Sequence, residues 1–244
     1  MCTIDSLTKL FQVLFASHSF NYAGPLKLGI PVRLFLFKHI LGIPYAAGVA
    51  TLMATTGLDI VVMITLAIAL IAWIYFSPLV GLTMAAAIFA CLIGPATLYH
   101  KLPLARLKGP SWIGRFFSEL ANLSPVTVLH AVLISVAKTL LNAVAGWLVL
   151  TGLGAVTGLA EFAFIYLASH LAGLLSLIPM GIGVKDVSAV ELLSHLGVSP
   201  SIGIAFIAID RLIWSLIPLI IGLLAGWQLG ISELIKSASK ELAA

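Results

Sequence analysis

The chain has 244 residues, of which 61% are hydrophobic and only 9% charged. A soluble domain carries roughly 25% charged residues, so a water-covered globule is excluded. The net charge of +4 reads as the basic flanks of membrane loops rather than as a nucleic-acid surface, and such flanks also attract anionic lipid headgroups.

The expected fold is all-α: a polytopic helical membrane protein of about six spans and two short re-entrant or interfacial helices. In chain order, an apolar run at about 6–22 is short for the ~20 residues a span needs. A break follows at 21–33, then a ten-residue apolar piece at 33–42 that cannot cross a bilayer alone. Runs at about 45–76 and 79–99 come next, the first interrupted only by Asp59. The segment 100–124 is polar and basic, with Lys101, Arg106, Lys108 and Arg115 against Glu119, and the positive-inside rule places it in the cytoplasm. Within it Trp112, Phe116 and Leu120 share one side with Phe117, the pattern of a helix lying flat at the headgroups. Spans at about 125–150 and 157–178 lead to a second break. A short piece at 187–197 and a last span at about 201–229 complete the membrane region. No removable signal peptide is evident. Cys2 and Cys91 form no disulfide framework, and Cys91 lies mid-run as an inert thiol.

The two breaks read as copies. The first is Pro25-Leu-Lys-Leu-Gly29 and the second Pro179-Met-Gly-Ile-Gly183. Each precedes a short apolar piece containing a histidine, His39 or His195. Each piece ends in glycine and a β-branched residue, Gly42-Ile43 or Gly197-Val198. The whole chain is thus expected to be one integral membrane domain, 1–244. Repeat 1 covers about 6–76, connecting spans and the basic loop 79–150, repeat 2 about 157–229, and a tail 230–244. Proline removes an amide donor and glycine tolerates unusual dihedrals, so the pair halts a helix. Broken backbone at membrane depth survives only against protein or a watered cavity. Discontinuous helices of this kind form substrate sites in transporters, and the amides that open a helix favour an anion. The expected substrate-binding residues are Asn21, Pro25, Lys27, Gly29 and Arg33 at the first break. At the second they are Pro179, Gly181, Gly183, Lys185 and Asp186.

These residues resemble the transmembrane region of the lysylphosphatidylglycerol synthetase (multiple peptide resistance factor) family. The resemblance lies in "NYAGPLKLGIPVR", "GIPYAAGVATLMATTGLDIVV", "LLSLIPMGIGVKDVSAVELLSHLGV" and "AIDRL". The family's Asn–Pro–Gly–Arg block falls on Asn21, Pro25, Gly29 and Arg33. Its Pro-Gly-Gly-x-Gly-x-x-Glu type signature falls on Pro179, Gly181, Gly183 and Asp186. Asp186 replaces the usual glutamate, and Thr55-Thr56 stand where relatives often carry Glu-Arg, while Asp59 is kept. Relatives also usually carry about two spans ahead of the first motif. The resemblance implies a role in handling envelope lipids, as in a stand-alone flippase-like domain without the synthetase domain.

Ionisable residues at bilayer depth cost roughly 2.5–3.5 kcal/mol on insertion scales and are usually internal and paired. The intramembrane polar candidates are Asp59, His130, Lys138, Asn142, Glu161, His170, Asp210 and Arg211. His130, Ile134, Lys138 and Asn142 recur at i+4 spacing on one helix face, and Lys138 is expected to face Asp210 or Asp59. No metal-ligand spacing, nucleophile motif or dinucleotide fingerprint occurs, so no metal, cofactor or enzymatic activity is expected. Gly222, Gly226 and Gly230 read as helix-packing steps.

The leading expectation is flippase-like movement of an anionic, aminoacylated or polyprenyl lipid in the inner or cytoplasmic membrane of a prokaryote. The rivals are a non-catalytic partner of an envelope glycosyltransferase or lipid synthase, and a membrane-embedded transferase using Asp186 and His195. The implied partners are a membrane lipid with an anionic headgroup, an envelope-biosynthesis enzyme and a second copy of the chain.

Overall fold

A computed structural model describes residues 4–21, 28–98, 124–176, 178 and 181–231. Its elements are α1 (Ile4–Ser19), α2 (Gly29–Leu41), α3 (Tyr45–Tyr75), α4 (Pro78–Leu98), α5 (Pro125–Gly152), α6 (Leu159–Leu175), α7 (Val184–His195), α8 (Pro200–Arg211) and α9 (Ile217–Gln228). A five-residue π turn, Leu212–Leu216, joins α8 to α9. Among the described residues there is no strand. The all-α reading therefore holds, and for a simple reason: in lipid a helix satisfies its own backbone donors and acceptors.

Among the described residues, three helices are long and apolar enough to cross a membrane: Tyr45–Tyr75, Val126–Gly152 and Pro200–Gln228. Leu159–Leu175 is a shorter apolar helix. The 31 residues of α3 rise about 46 Å, well beyond the ~30 Å hydrocarbon thickness. Both short helices begin earlier than periodicity suggests, α2 at Gly29 and α7 at Val184. The helical backbone starts on the last glycine of the first motif and directly after the last glycine of the second. The basic loop and its expected flat helix lie outside the described residues.

The chain forms two compact units: Met1–Gly48 with Leu177–Met180 and Ile209–Ala244, and Val49–Ser176 with Gly181–Ala208. In the first unit α1 packs along both α2 and α9, around Val13, Ala16, Leu36, Phe37, Ala225 and Ile231. Lipid offers no hydrophobic drive between helices, so close van der Waals fit and small residues hold them. Gly222 supplies that fit, because a Cβ there would collide with the Phe15 carbonyl and with Ser19 of α1. The Ser19 hydroxyl donates to Leu219 O at 3.2 Å, tying the same two helices. Gly226 faces Ala16.

In the second unit α6 packs on α5 and α7. Phe162 meets Phe206 edge-on, ring centroids 5.5 Å apart, and Gly146 leaves room for both rings. A second cluster joins Val62, Leu66 and Ala67 of α3 to Leu167 of α6. Trp147 donates its indole N–H to Thr157 O at 3.0 Å, holding the α5–α6 turn.

Candidate functional site

The first break is held in the first unit. The Gly29 N–H, which opens α2, donates to Asn21 Oδ1 at 3.0 Å. Gly29 is required by approach rather than by dihedral angle: a Cβ there would collide with Asn21 and lie 2.5 Å from the Ser17 carbonyl oxygen. One turn on, Arg33 donates its Nε–H to Ser17 Oγ at 2.9 Å. Ser17 is fully buried and donates in turn to Leu14 O at 2.8 Å. This chain fixes the plane of the guanidinium and uses one of its five donors.

Burial holds the Arg33 pKa below its ordinary value, yet an arginine stays charged. The first turn of α2 holds no acidic residue, and Pro31 contributes no amide. Among the described residues no carboxylate forms an ion pair with Arg33. Pro25 and Lys27 lie outside the described residues.

The second break has different electrostatics. Gly181 and Gly183 have φ of 61° and 86°, dihedrals that favour glycine. The Gly183 N–H donates to Asp186 Oδ2 at 3.0 Å, so the chain's own carboxylate caps α7. Gly173 of α6 lets this segment come close: a Cβ on Gly181 would fall 2.8 Å from Gly173 Cα. Lys185 is buried, with its ammonium 5.6 Å from the Tyr166 ring centroid, a cation–π distance. Pro179 lies outside the described residues. Both short helices end on left-handed glycines, Gly42 at φ 68° and Gly197 at φ 79°. At Gly197 the bonds Gly197 N–H to Ser194 O and Val198 N–H to Leu193 O form a Schellman closure.

Of the intramembrane residues, Lys138 and Asp59 come together. Lys138 Nζ lies 2.7 Å from Asp59 Oδ2, and Ser135 Oγ donates to Asp59 Oδ1 at 2.5 Å. Of the two expected partners, the structure places Asp59 against the lysine. Asp210 is buried, and Arg211 beside it is half-buried at the end of α8, where the π turn begins. His130 is exposed and Asn142 half-buried.

Glu161 folds its carboxylate over Gly158 at the start of α6 and lines an apolar cleft of about 600 Å³ with Leu70, Trp73, Leu140 and Val144. His170 lies against Tyr166, ring centroids 4.6 Å apart. His39 lies tilted against Phe35, ring centroids 4.2 Å apart, and His195 pairs with Glu191 at 3.8 Å, both exposed. Among the described residues no cluster of His, Cys, Asp or Glu could hold a metal ion.

Sequence reasoning missed Ser17, Ser135, Gly173 and the π turn. Ser17 and Ser135 act through partners 16 and 76 positions away, which no local pattern reveals. The π turn had a signal in Pro218, which cannot donate to the Trp214 carbonyl. The ladder shifts register just before it, and the Ile217 N–H bonds to Leu212 O.

The family model for the lysylphosphatidylglycerol synthase TM region matches residues 6–222. The chain belongs to that family. The lysylphosphatidylglycerol synthase TM-region match takes in both breaks and the Asp59–Lys138 pair. The chain is also similar to the UPF0104 membrane protein MJ1595 of Methanocaldococcus jannaschii, 30% identical over 98 residues. That match covers 40% of this chain and 29% of the relative's length. No solved structure matches.

Proposed function

We propose that this membrane protein binds an envelope lipid by an anionic headgroup and moves it between leaflets, with Arg33 as the principal headgroup contact. The observation that carries the reading is the Arg33 guanidinium at the start of α2. It is half-buried and oriented through Nε by Ser17, with no carboxylate in an ion pair among the described residues. A planar guanidinium suits the paired oxygens of a phosphate, and the opening turn of α2 adds its positive end.

The second break supports a different task. Asp186 already occupies the Gly183 amide, and Lys185 is packed on Tyr166, so this copy serves to fix α7 against α6. Membership in a family named for lysylphosphatidylglycerol synthase supports lipid as the substrate class, in a prokaryotic inner or cytoplasmic membrane. The chain is taken to carry no covalent chemistry of its own.

The test is movement of headgroup-labelled phospholipid in proteoliposomes. Wild type is expected to exceed protein-free vesicles. Arg33→Gln should lose about tenfold or more, the ~1.5–3 kcal/mol of a hydrogen bond to a charged group, and Arg33→Lys should lose less. Wild-type movement no faster than in protein-free vesicles, or an Arg33→Gln variant equal to wild type, would overturn the reading.

A further inference from the structure

Asp59 stands at the middle of the 31-residue α3 and Lys138 at the middle of the 28-residue α5. Both helices are of membrane-crossing length, so the pair sits close to the bilayer midplane. Yet the Lys138 side chain is 48% exposed and that of Asp59 35%. Charges at this depth normally face the bundle interior or water. A lysine near the end of a span escapes by reaching for the headgroups. Here they lie about 15 Å away, half the hydrocarbon thickness, beyond the reach of a lysine stem.

Polar groups stand on the same side. Thr55 precedes Asp59 by one turn and is exposed, Ser135 bonds the carboxylate, and His130 lies two turns before Lys138 on the same face of α5. Ile134 and Leu141 flank the lysine on that face and are 68% and 69% exposed.

We infer that this face of α3 and α5 lines a water-filled crevice reaching the middle of the membrane, with the Asp59–Lys138 pair at its floor. Hydration there lowers the cost of two half-exposed ions, which hydrocarbon does not. The inference stands independently of which lipid the protein handles.

The crevice is tested by cysteine labelling of the full chain in sealed vesicles, after Cys2 and Cys91 are replaced by alanine. The probe is a membrane-impermeant maleimide added on each side in turn. A maleimide captures the thiolate, and a thiol ionises in water but not in hydrocarbon. Ile134→Cys, Leu141→Cys and Thr55→Cys report on the crevice face. Leu133→Cys and Ile64→Cys, exposed at 56% and 44%, lie at similar depth on other faces of the same helices.

The crevice-face cysteines are expected to react from one side at least tenfold faster than the two controls, with all five reacting equally in denaturing detergent. Equal, slow labelling of all five in vesicles would overturn the crevice. Equal, fast labelling would overturn the mid-membrane placement on which it rests. Three positions on the face keep the test decisive if one variant fails to fold. Lipid movement in the same vesicles reports separately on the proposed function.

Discussion

Glycines 29, 42 and 181 separate two physical demands that look identical in sequence. Gly42 needs a left-handed dihedral, but a Cβ there meets open space. Gly181 needs the dihedral and also touches Gly173, and Gly29 needs only the room. Gly42→Ala is therefore expected to cost about 1–2 kcal/mol, the strain of an alanine in the left-handed region. Gly181→Ala adds overpacking of about 1–3 kcal/mol to that strain. Thermal unfolding in detergent should rank them in that order, and equal midpoints would refute the packing argument.

The Asp59–Lys138 pair is a residue-scale prediction of another kind. Lys138→Met and Asp59→Asn each strand the partner, whereas the double variant strands neither. The double-mutant cycle should return a coupling of about 0.5–1.5 kcal/mol, in the range of polar contacts between membrane helices.

At the scale of elements, α2 and α7 share a design: a glycine-bearing start, 13 and 12 helical residues respectively, and a left-handed glycine after the end. They differ near the start, where α2 carries Arg33 one turn in and α7 carries Asp186 in its first turn. Asp186→Ala should weaken the cap on α7 by about 0.5–2 kcal/mol. Hydrogen exchange would show this as faster exchange confined to the first turn of α7, and unchanged exchange there would show that the cap is not supporting the helix. Gly222→Leu acts on a pair of helices instead. Its side chain would meet the Phe15 carbonyl and Ser19, so α1 must move off α9. A cysteine cross-link between positions 12 and 228, whose glutamines hydrogen-bond at 3.0 Å in the native protein, is expected to form in the wild-type background and fail in the Gly222→Leu variant.

At the scale of the whole molecule, the low charge content and the helix lengths place the protein in a membrane. The composition alone excludes a water-soluble fold, since 9% charged residues cannot cover the surface of a globule. The basic segment 100–124 predicts orientation by the positive-inside rule. A cysteine introduced at Lys108 should react with an impermeant reagent only from the cytoplasmic side. Labelling from the opposite face would invert the topology.

Periodicity and composition by themselves determined the helical class and the approximate run of each long helix, because hydrophobic length acts locally along the chain. They also nominated Arg33, Asp59, Lys138 and Asp186, because a charge in an apolar sequence stands out without a fold. Only the tertiary structure decided what those charges meet. It set Lys138 against Asp59 with Ser135, Arg33 against Ser17, and Asp186 on the amide of Gly183. Except in the local Asp186 cap, these partners lie far apart in sequence and come together only when close-fitting helices bring their backbones near, which no one-dimensional pattern encodes.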